Sequence, residues 1–312
     1  MKKTAEIRNI LICGAGMMGK NIAFVFSANP QYDIVLYDLY PSDVRSGITA
    51  NCKQLVDRGV ITSEELEERL SRISFTTDMD SQQVAQADFV IEAVFEDMKI
   101  KRETFAKLEA RCRPDAIFCT NSSVMSPSEI SAELQYRDRF VGTHFWNPGH
   151  LIPLVEVVKS DASSEETAQT VMEVLTSVGK KPVLCKKDVP GFIANRMQHA
   201  LWREAISIVE HGIADAKTVD EAVRYSFGLR LPQLGPMENA DMVGTDLTYN
   251  IHDYILRDLE SSPEPSPLLK KLRDGGKLGF KSGEGFQTWT PEEAAQSAAD
   301  LNDYLIRMLY GK

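Results

Sequence analysis

The chain has 312 residues, 43% of them hydrophobic and 26% charged, and a formal net charge of −10. This length supports a full hydrophobic core and two domains, and the acidic balance argues against nucleic acid or an anionic membrane as partner. No stretch approaches the ~20 apolar residues of a membrane span. In the opening "MKKTAEIRNILICG", Glu6, Arg8 and Asn9 interrupt any apolar region of signal-peptide length, so a soluble, cytoplasmic protein is expected.

In chain order, Asn9 to Cys13 is a short apolar run that ends at "GAGMMG", and a helical pattern follows from Lys20 to Ala28. "DIVLYD" is a second strand ending on Asp38. Asp43 to Arg58 reads as helical, and the next helix opens with a capping box from Thr62 to Glu65. "DFVIEAVFE" is a buried strand, followed by a helix through Lys101 to Cys112. "AIFCTNSS" is another strand, broken by a turn at Ser126 and Pro127. This alternation predicts an α/β fold with a mostly parallel sheet and helices on both faces. Beyond a linker near Asp188 in "CKKDVPG" the signals turn helical: Phe192 to Glu210, Val219 to Tyr225, Ala240 to Leu259, and from Pro291 onward. The expected division is residues 1–188 and an all-helical domain over 189–312. "SSPEPSP" reads as a rigid loop. Cys13, Cys52, Cys112, Cys119 and Cys185 are scattered, with no C-x-x-C spacing and no histidine at ligand spacing. They are expected to be buried reduced thiols, with no metal site.

Gly14, Gly16 and Gly19 stand in G-x-G-x-x-G spacing between a strand and a helix, with Met17 and Met18 inside the motif. Gly14 allows the tight turn, Gly16 lets backbone approach a pyrophosphate, and Gly19 permits close helix–strand packing. The helix N-terminus offers unpaired N–H groups to the phosphates. Asp38 follows Gly19 by 19 residues, where a carboxylate bonds the adenosine ribose and would repel a 2′-phosphate. NAD is the expected cofactor.

"GTHFWNPGHLIPLVEVVKS", Gly142 to Ser160, raises a different question. Leu151 to Val158 has the look of a strand buried on both faces. A glutamate there, Glu156, is costly without a partner.

"GTHFWNP" with "LVEVV", preceded by "TNSS" and followed by "DVPGFIANR", resembles the L-3-hydroxyacyl-CoA dehydrogenase family, and the resemblance runs from the glycine loop to "KLGFKSGEGF". It implies a Rossmann-type NAD-binding domain, a helical domain that dimerises, and a role in fatty acid metabolism. It also makes His144 the base that takes the hydroxyl proton and Glu156 the carboxylate that orients it. Ser122 and Asn195 match the family's polar groups near the substrate oxygen. Glu96, Lys101, Asn147 and Lys281 match its cofactor side. His150, His199, His211 and His252 lack such company and read as structural.

The substrate implied is a 3-hydroxyacyl-CoA. Yet where CoA-using relatives commonly carry lysines, Lys53, Arg58, Arg69 and Arg72 are accompanied by five acidic residues. Trp146 stands where many relatives have Phe, which narrows the pocket. Arg230 in "GLRLPQLGP" resembles a "G-x-R" run in relatives that act on free hydroxy acids, the L-gulonate (lambda-crystallin-like) and L-carnitine dehydrogenases. A guanidinium there could clamp a carboxylate. The alternative reading is therefore the same chemistry on a free hydroxy acid, and a remote one is an NAD-binding protein without turnover.

Overall fold

Eight short strands build one sheet: β1 (Asn9–Cys13), β2 (Asp33–Tyr37), β3 (Ile73–Thr76), β4 (Phe89–Glu92), β5 (Ile117–Thr120), β6 (Phe140–Phe145), β7 (Leu154–Lys159) and β8 (Lys181–Cys185). The computed structural model from which they are taken describes residues 3–311. The strand order is β3-β2-β1-β4-β5-β6-β7-β8. Every neighbouring pair is parallel except β6 and β7, which run antiparallel.

Successive strand residues face opposite sides, and both sides are covered. Ile10, Ile12, Ile34, Leu36 and Ile91 pack against α1 (Met17–Phe26), α2 (Val44–Asp57), α3 (Ser63–Ser71) and α7 (Glu165–Ser177). Leu11, Cys13, Val35, Val90 and Phe118 pack the other way, onto the single-turn α4 (Gln82–Ala85) and onto α5 (Met98–Arg111). Side chains fix where several helices start. Asp43, Thr62 and Ser164 accept the backbone N–H groups of Ser46, Glu65 and Thr167, as N-caps do. A short α6 (Pro127–Ile130) begins at Ser126, and Asp188 accepts the N–H of Ser128, tying the expected linker to this unit. All five cysteines are buried and unpaired.

The chain divides into two compact units, one holding residues up to 194 together with those from 301 onward, the other residues 195–300. The second unit carries α9 (Ala216–Arg224), α10 (Phe227–Arg230), α11 (Pro236–Val243), α12 (Thr245–Ile255) and α13 (Pro267–Asp274), together with most of α8 (Ala194–Glu210). The last helix, α14 (Pro291–Tyr310), ends in the first unit, where Ile306 joins the core that contains Cys52 and Leu55. No helix among the described residues is long and apolar enough to cross a membrane.

Several expected elements shift. The first helix begins at Met17 rather than Lys20, because Gly16 is its N-cap and the glycine loop itself feeds the first turn. The strand expected from Leu151 starts at Leu154, since the N–H groups of Leu151 and Ile152 turn back onto the carbonyl of Pro148. The helix expected over Ala240 to Leu259 is two helices parted at Gly244, whose φ of 100° breaks the helical path. The second unit is not purely helical: Glu284 bridges Gly279 and Thr288.

Candidate active site

In a parallel sheet, ligands sit at the carboxyl ends of the strands, near the point where strand order reverses. Here that point lies between β1 and β4. The glycine loop follows β1, Asp38 follows β2, Glu92 ends β4, Ser122 lies just past β5, and His144 lies near the end of β6. Because β7 runs the other way, Glu156 enters near its start, and the antiparallel register sets it directly across from His144.

The glycine loop fits a dinucleotide on its own geometry. Gly14 has φ +106°, and a Cβ there would stand 2.5 Å from the carbonyl oxygen of Ala93. A Cβ on Gly19 would lie 1.8 Å from the carbonyl oxygen of Gly14, so this glycine lets α1 approach the loop. Nothing lies within 4 Å of a Cβ built on Gly16, which leaves open room beside a helix N-terminus that no side chain caps. That is where a pyrophosphate would be held. One Asp38 oxygen accepts the N–H of Ala15 at 2.7 Å and the other that of Tyr40 at 3.2 Å, so the carboxylate braces the loop and keeps lone pairs for ribose hydroxyls. Met17 is exposed and Met18 half-buried at the start of α1. Gly19→Ala is expected to weaken NAD binding at least about tenfold, roughly 1.4 kcal/mol, by pushing the loop from the helix. Titration of the variant with NADH would check this, and an unchanged Kd would mean that the loop gives way freely.

The buried glutamate has its partner. Glu156 is fully buried, and its Oε2 lies 2.8 Å from Nδ1 of His144, itself 4% exposed. The same Oε2 accepts the indole N–H of Trp146 at 3.2 Å. Oε1 accepts the N–H groups of Ile193 and Ala194, both at 2.9 Å, at the start of α8. Burial pushes this carboxyl up, but the bonds from His144, Ala194, Ile193 and Trp146 outweigh it and hold Glu156 below the usual carboxylate range. An ionised carboxylate only accepts, so Nδ1 carries a proton, and in the neutral ring Nε2 is the nitrogen with the lone pair. The pair is thus set up to take a proton at Nε2. The rings of Trp146 and Phe192 pack beside the imidazole, with centroids 5.3 and 5.8 Å away.

A second polar network spans β4, β5 and α5. Lys101, 1% exposed, donates to Oε1 of the buried Glu92 at 2.7 Å, and Thr120 donates to Oε2 at 2.7 Å. Burial raises the Glu92 carboxyl, while Lys101, Thr120 and the Val94 N–H act against that rise. Lys101 also reaches Glu96 at 3.2 Å. Glu96 in turn accepts the hydroxyl of Ser122 and the N–H of Ser123. Partial burial pushes Glu96 up, but Ser122, Lys101 and Ser123 together bring it below its ordinary value. The Ser122 proton is therefore committed to Glu96, and its oxygen accepts the N–H of Met125 at 3.0 Å. In this state Ser122 has no proton to donate to a substrate oxygen.

The structure thus brings Glu96, Lys101 and Ser122 into one network and His144 and Glu156 into a pair, all within the first unit. Asn147 is exposed just past His144, in a cis peptide bond with Pro148. Asn195, buried, and Arg230 and Lys281, both exposed, belong to the second unit. Sequence reasoning missed Glu92, the indole donor of Trp146, and Asn121, whose side-chain oxygen accepts the N–H of Phe145 at 2.9 Å and so links the ends of β5 and β6. For Glu92 a signal existed: it is a lone carboxylate in the apolar run "FVIEAV", the same anomaly that Glu156 presents.

Comparison with known proteins agrees with this geometry. Residues 9–189 match the family model for the 3-hydroxyacyl-CoA dehydrogenase NAD binding domain, and residues 191–289 match that for the C-terminal domain. A 5-formyl-3-hydroxy-2-methylpyridine 4-carboxylate 5-dehydrogenase from Mesorhizobium japonicum is 32% identical over 98% of this chain and 99% of its own. A probable 3-hydroxybutyryl-CoA dehydrogenase from Bacillus subtilis is 36% identical over 90% and 97%. Among solved structures, a 5-formyl-3-hydroxy-2-methylpyridine 4-carboxylic acid 5-dehydrogenase, described as an NAD+-dependent dismutase, superposes with a TM-score of 0.88 at 31% identity over 98% of this chain and 99% of that one. The (S)-3-hydroxybutyryl-CoA dehydrogenase of Ralstonia eutropha gives 0.76 at 28% identity over 91% and 100%. With a dinucleotide loop, a carboxylate-held histidine and two matching family models in sequence order, the chain belongs to the 3-hydroxyacyl-CoA dehydrogenase family and is an NAD-dependent oxidoreductase.

Proposed function

We propose that the protein oxidises, reversibly, a hydroxyl group on a small carboxylate-bearing substrate, with His144 as the base and Glu156 as its orienting partner. The observation that carries this reading is the 2.8 Å bond between His144 Nδ1 and a carboxylate held ionised by three further donors, which fixes Nδ1 as the proton-bearing nitrogen toward Glu156 and leaves Nε2 as the one to meet the substrate proton. His144 takes the hydroxyl proton, and Glu156 stabilises the imidazolium that results. NAD, when bound, accepts the hydride. Glu96 and Lys101 anchor the cofactor side next to Ser122; by resemblance to the family, Asn147 and Lys281 are assigned to the cofactor and Asn195 to the substrate. The Gly14–Gly19 loop and Asp38 hold the dinucleotide. Residues 1–188 serve the cofactor and 189–312 the substrate.

A 3-hydroxyacyl-CoA is the alternative substrate, and two observations favour the free acid. The basic side chains after the second strand, where CoA phosphates would be met, are paired with carboxylates: Arg45 with Glu67, Lys53 with Asp57, Arg58 with Asp303, Arg69 with Glu65 and Arg72 with Glu68. By contrast, Arg230 is exposed and, among the described residues, no hydrogen bond or ion pair engages its guanidinium. The whole-chain similarity to the pyridine-carboxylate dehydrogenase supports the same choice. The test follows NADH formation with a panel: 3-hydroxyacyl-CoA thioesters, free acids such as 3-hydroxybutyrate, L-gulonate and L-carnitine, and 5-formyl-3-hydroxy-2-methylpyridine 4-carboxylate. Turnover is expected among the free carboxylates, with Arg230→Ala raising KM at least about tenfold through loss of a charge-assisted pair. Turnover confined to thioesters would reassign the substrate and leave Arg230 a surface residue.

The reading includes a homodimer formed through the second unit. No residue of α9 to α13 is buried, and Met237, Met242, Tyr249 and Tyr254 are each at least 70% exposed. Apolar surface of this kind is normally covered by a partner. A cytoplasmic location is supported by five unpaired cysteines, as a reducing compartment maintains them.

A further inference from the structure

Glu156 accepts from four donors on two oxygens, and the side chain of Trp146 is one of them. His144 and Trp146 share Oε2, at 2.8 and 3.2 Å, while Oε1 is filled by the backbone of Ile193 and Ala194. Trp146 lies directly past β6 and is half-buried, with its ring against the imidazole. The two rings thus approach one carboxylate oxygen from the same strand end.

We infer that Trp146 is a positioning residue for the histidine–glutamate pair, its indole N–H holding Oε2 against the imidazole and tempering how strongly that oxygen favours the protonated ring. The inference rests on the proposed role of His144 as base. A carboxylate oxygen that already accepts one hydrogen bond carries less charge for the next donor. Removing the indole donor leaves Oε2 more basic, so the imidazolium is held more tightly and the neutral, proton-accepting form appears only at higher pH. Cys185 on β8, beside Asp188, is a further titratable group in electrostatic contact with Glu156. Burial pushes the Cys185 thiol up, so it stays uncharged at neutral pH and does not compete in this range. Asp188 is bonded to Ser126 and Ser128.

The test is Trp146→Phe, which keeps an aromatic side chain at this position and removes the N–H together with part of the indole. It is paired with the wild-type chain grown with 5-fluorotryptophan, which keeps the bicyclic ring and changes the N–H. In the Phe variant the acidic limb of kcat/KM for alcohol oxidation is expected to move up by about half a pH unit, less than the ~1–2 units of a whole hydrogen bond to a charged group because the indole acts on the imidazole only through Oε2. Above that limb, kcat should fall less than about tenfold, and KM for NAD should stay unchanged. A limb that stays in place overturns the inference. His144→Gln separates the two levels: if it retains turnover, the base assignment itself fails, whereas a dead His144→Gln beside an unmoved limb in Trp146→Phe sinks only the role of the indole. The 5-fluorotryptophan chain, which serves also should the Phe variant not fold, provides a stronger N–H donor. Its limb is expected to move down, and an unmoved limb would again count against the inference.

Discussion

Replacing His144 with Gln is expected to lower kcat by about 10²–10⁴-fold, the usual contribution of a positioned general base, while NADH binds as before. The substitution is mild in shape and severe in chemistry. A glutamine amide can still donate to Oε2 of Glu156, so the buried carboxylate keeps a partner in place of the 2.8 Å bond from Nδ1, and the sheet is not asked to hold an unpaired charge. What the amide cannot do is take a proton. The dinucleotide loop is built from Gly14 and Gly16 after β1, Gly19 on α1 and Asp38 after β2, and no hydrogen bond links these to His144 among the described residues. Steady-state turnover with the best substrate of the panel, together with fluorescence titration of NADH, measures both halves. A kcat within tenfold of wild type would remove His144 from the mechanism. Lost NADH binding would show instead that the histidine supports the fold.

The residues that announced themselves in the sequence did so by breaking a local rule. Glycines at fixed spacing after an apolar run, and a glutamate inside one, are both anomalies with a physical cost, and each led to a position whose geometry the fold builds specifically: a tight loop at Gly14 and a buried carboxylate with four donors at Glu156. Strand β3 gave no such sign. Its four residues are all half-buried, at the edge of the sheet, so "ISFT" has neither the continuous apolar character of a central strand nor a clean alternation. The proton of Ser122 was not legible either. Whether a serine donates to substrate or to a neighbour depends on Glu96, 26 residues away, and sequence order does not encode that contact. The break at Gly244 was visible as a glycine, but an isolated glycine within a helical pattern is tolerated at a cost of only about 1 kcal/mol and need not interrupt it. Its φ decided the matter.

Lys101→Met is expected to destabilise the protein by about 3–5 kcal/mol, the cost of removing one partner from a buried ion pair, with a fall in Tm of roughly 10 °C. Lys101 and Glu92 are both almost wholly inaccessible to water, and the 2.7 Å bond between them is the only charge-bearing contact that Glu92 makes among the described residues. Without the ammonium, Glu92 keeps the Thr120 hydroxyl and the Val94 N–H, which cannot offset a full buried charge. The carboxyl, already raised by burial, rises further and prefers to be protonated in the folded state. The sign of the pH dependence follows. Between the unfolded glutamate value, about 4.3, and the higher folded one, the native state binds more protons, so stability falls as pH increases. The deficit should therefore be small near pH 5 and largest above neutrality, the opposite of an acid-labile defect. Adding Glu92→Gln to Lys101→Met removes the charge as well as its partner and should restore much of the lost stability. Urea unfolding of the single and double variants at pH 5 and pH 8 would check this. A deficit that is equal at both pH values, or that the second substitution does not reduce, would mean that Lys101 acts through packing of its hydrocarbon stem rather than through its charge.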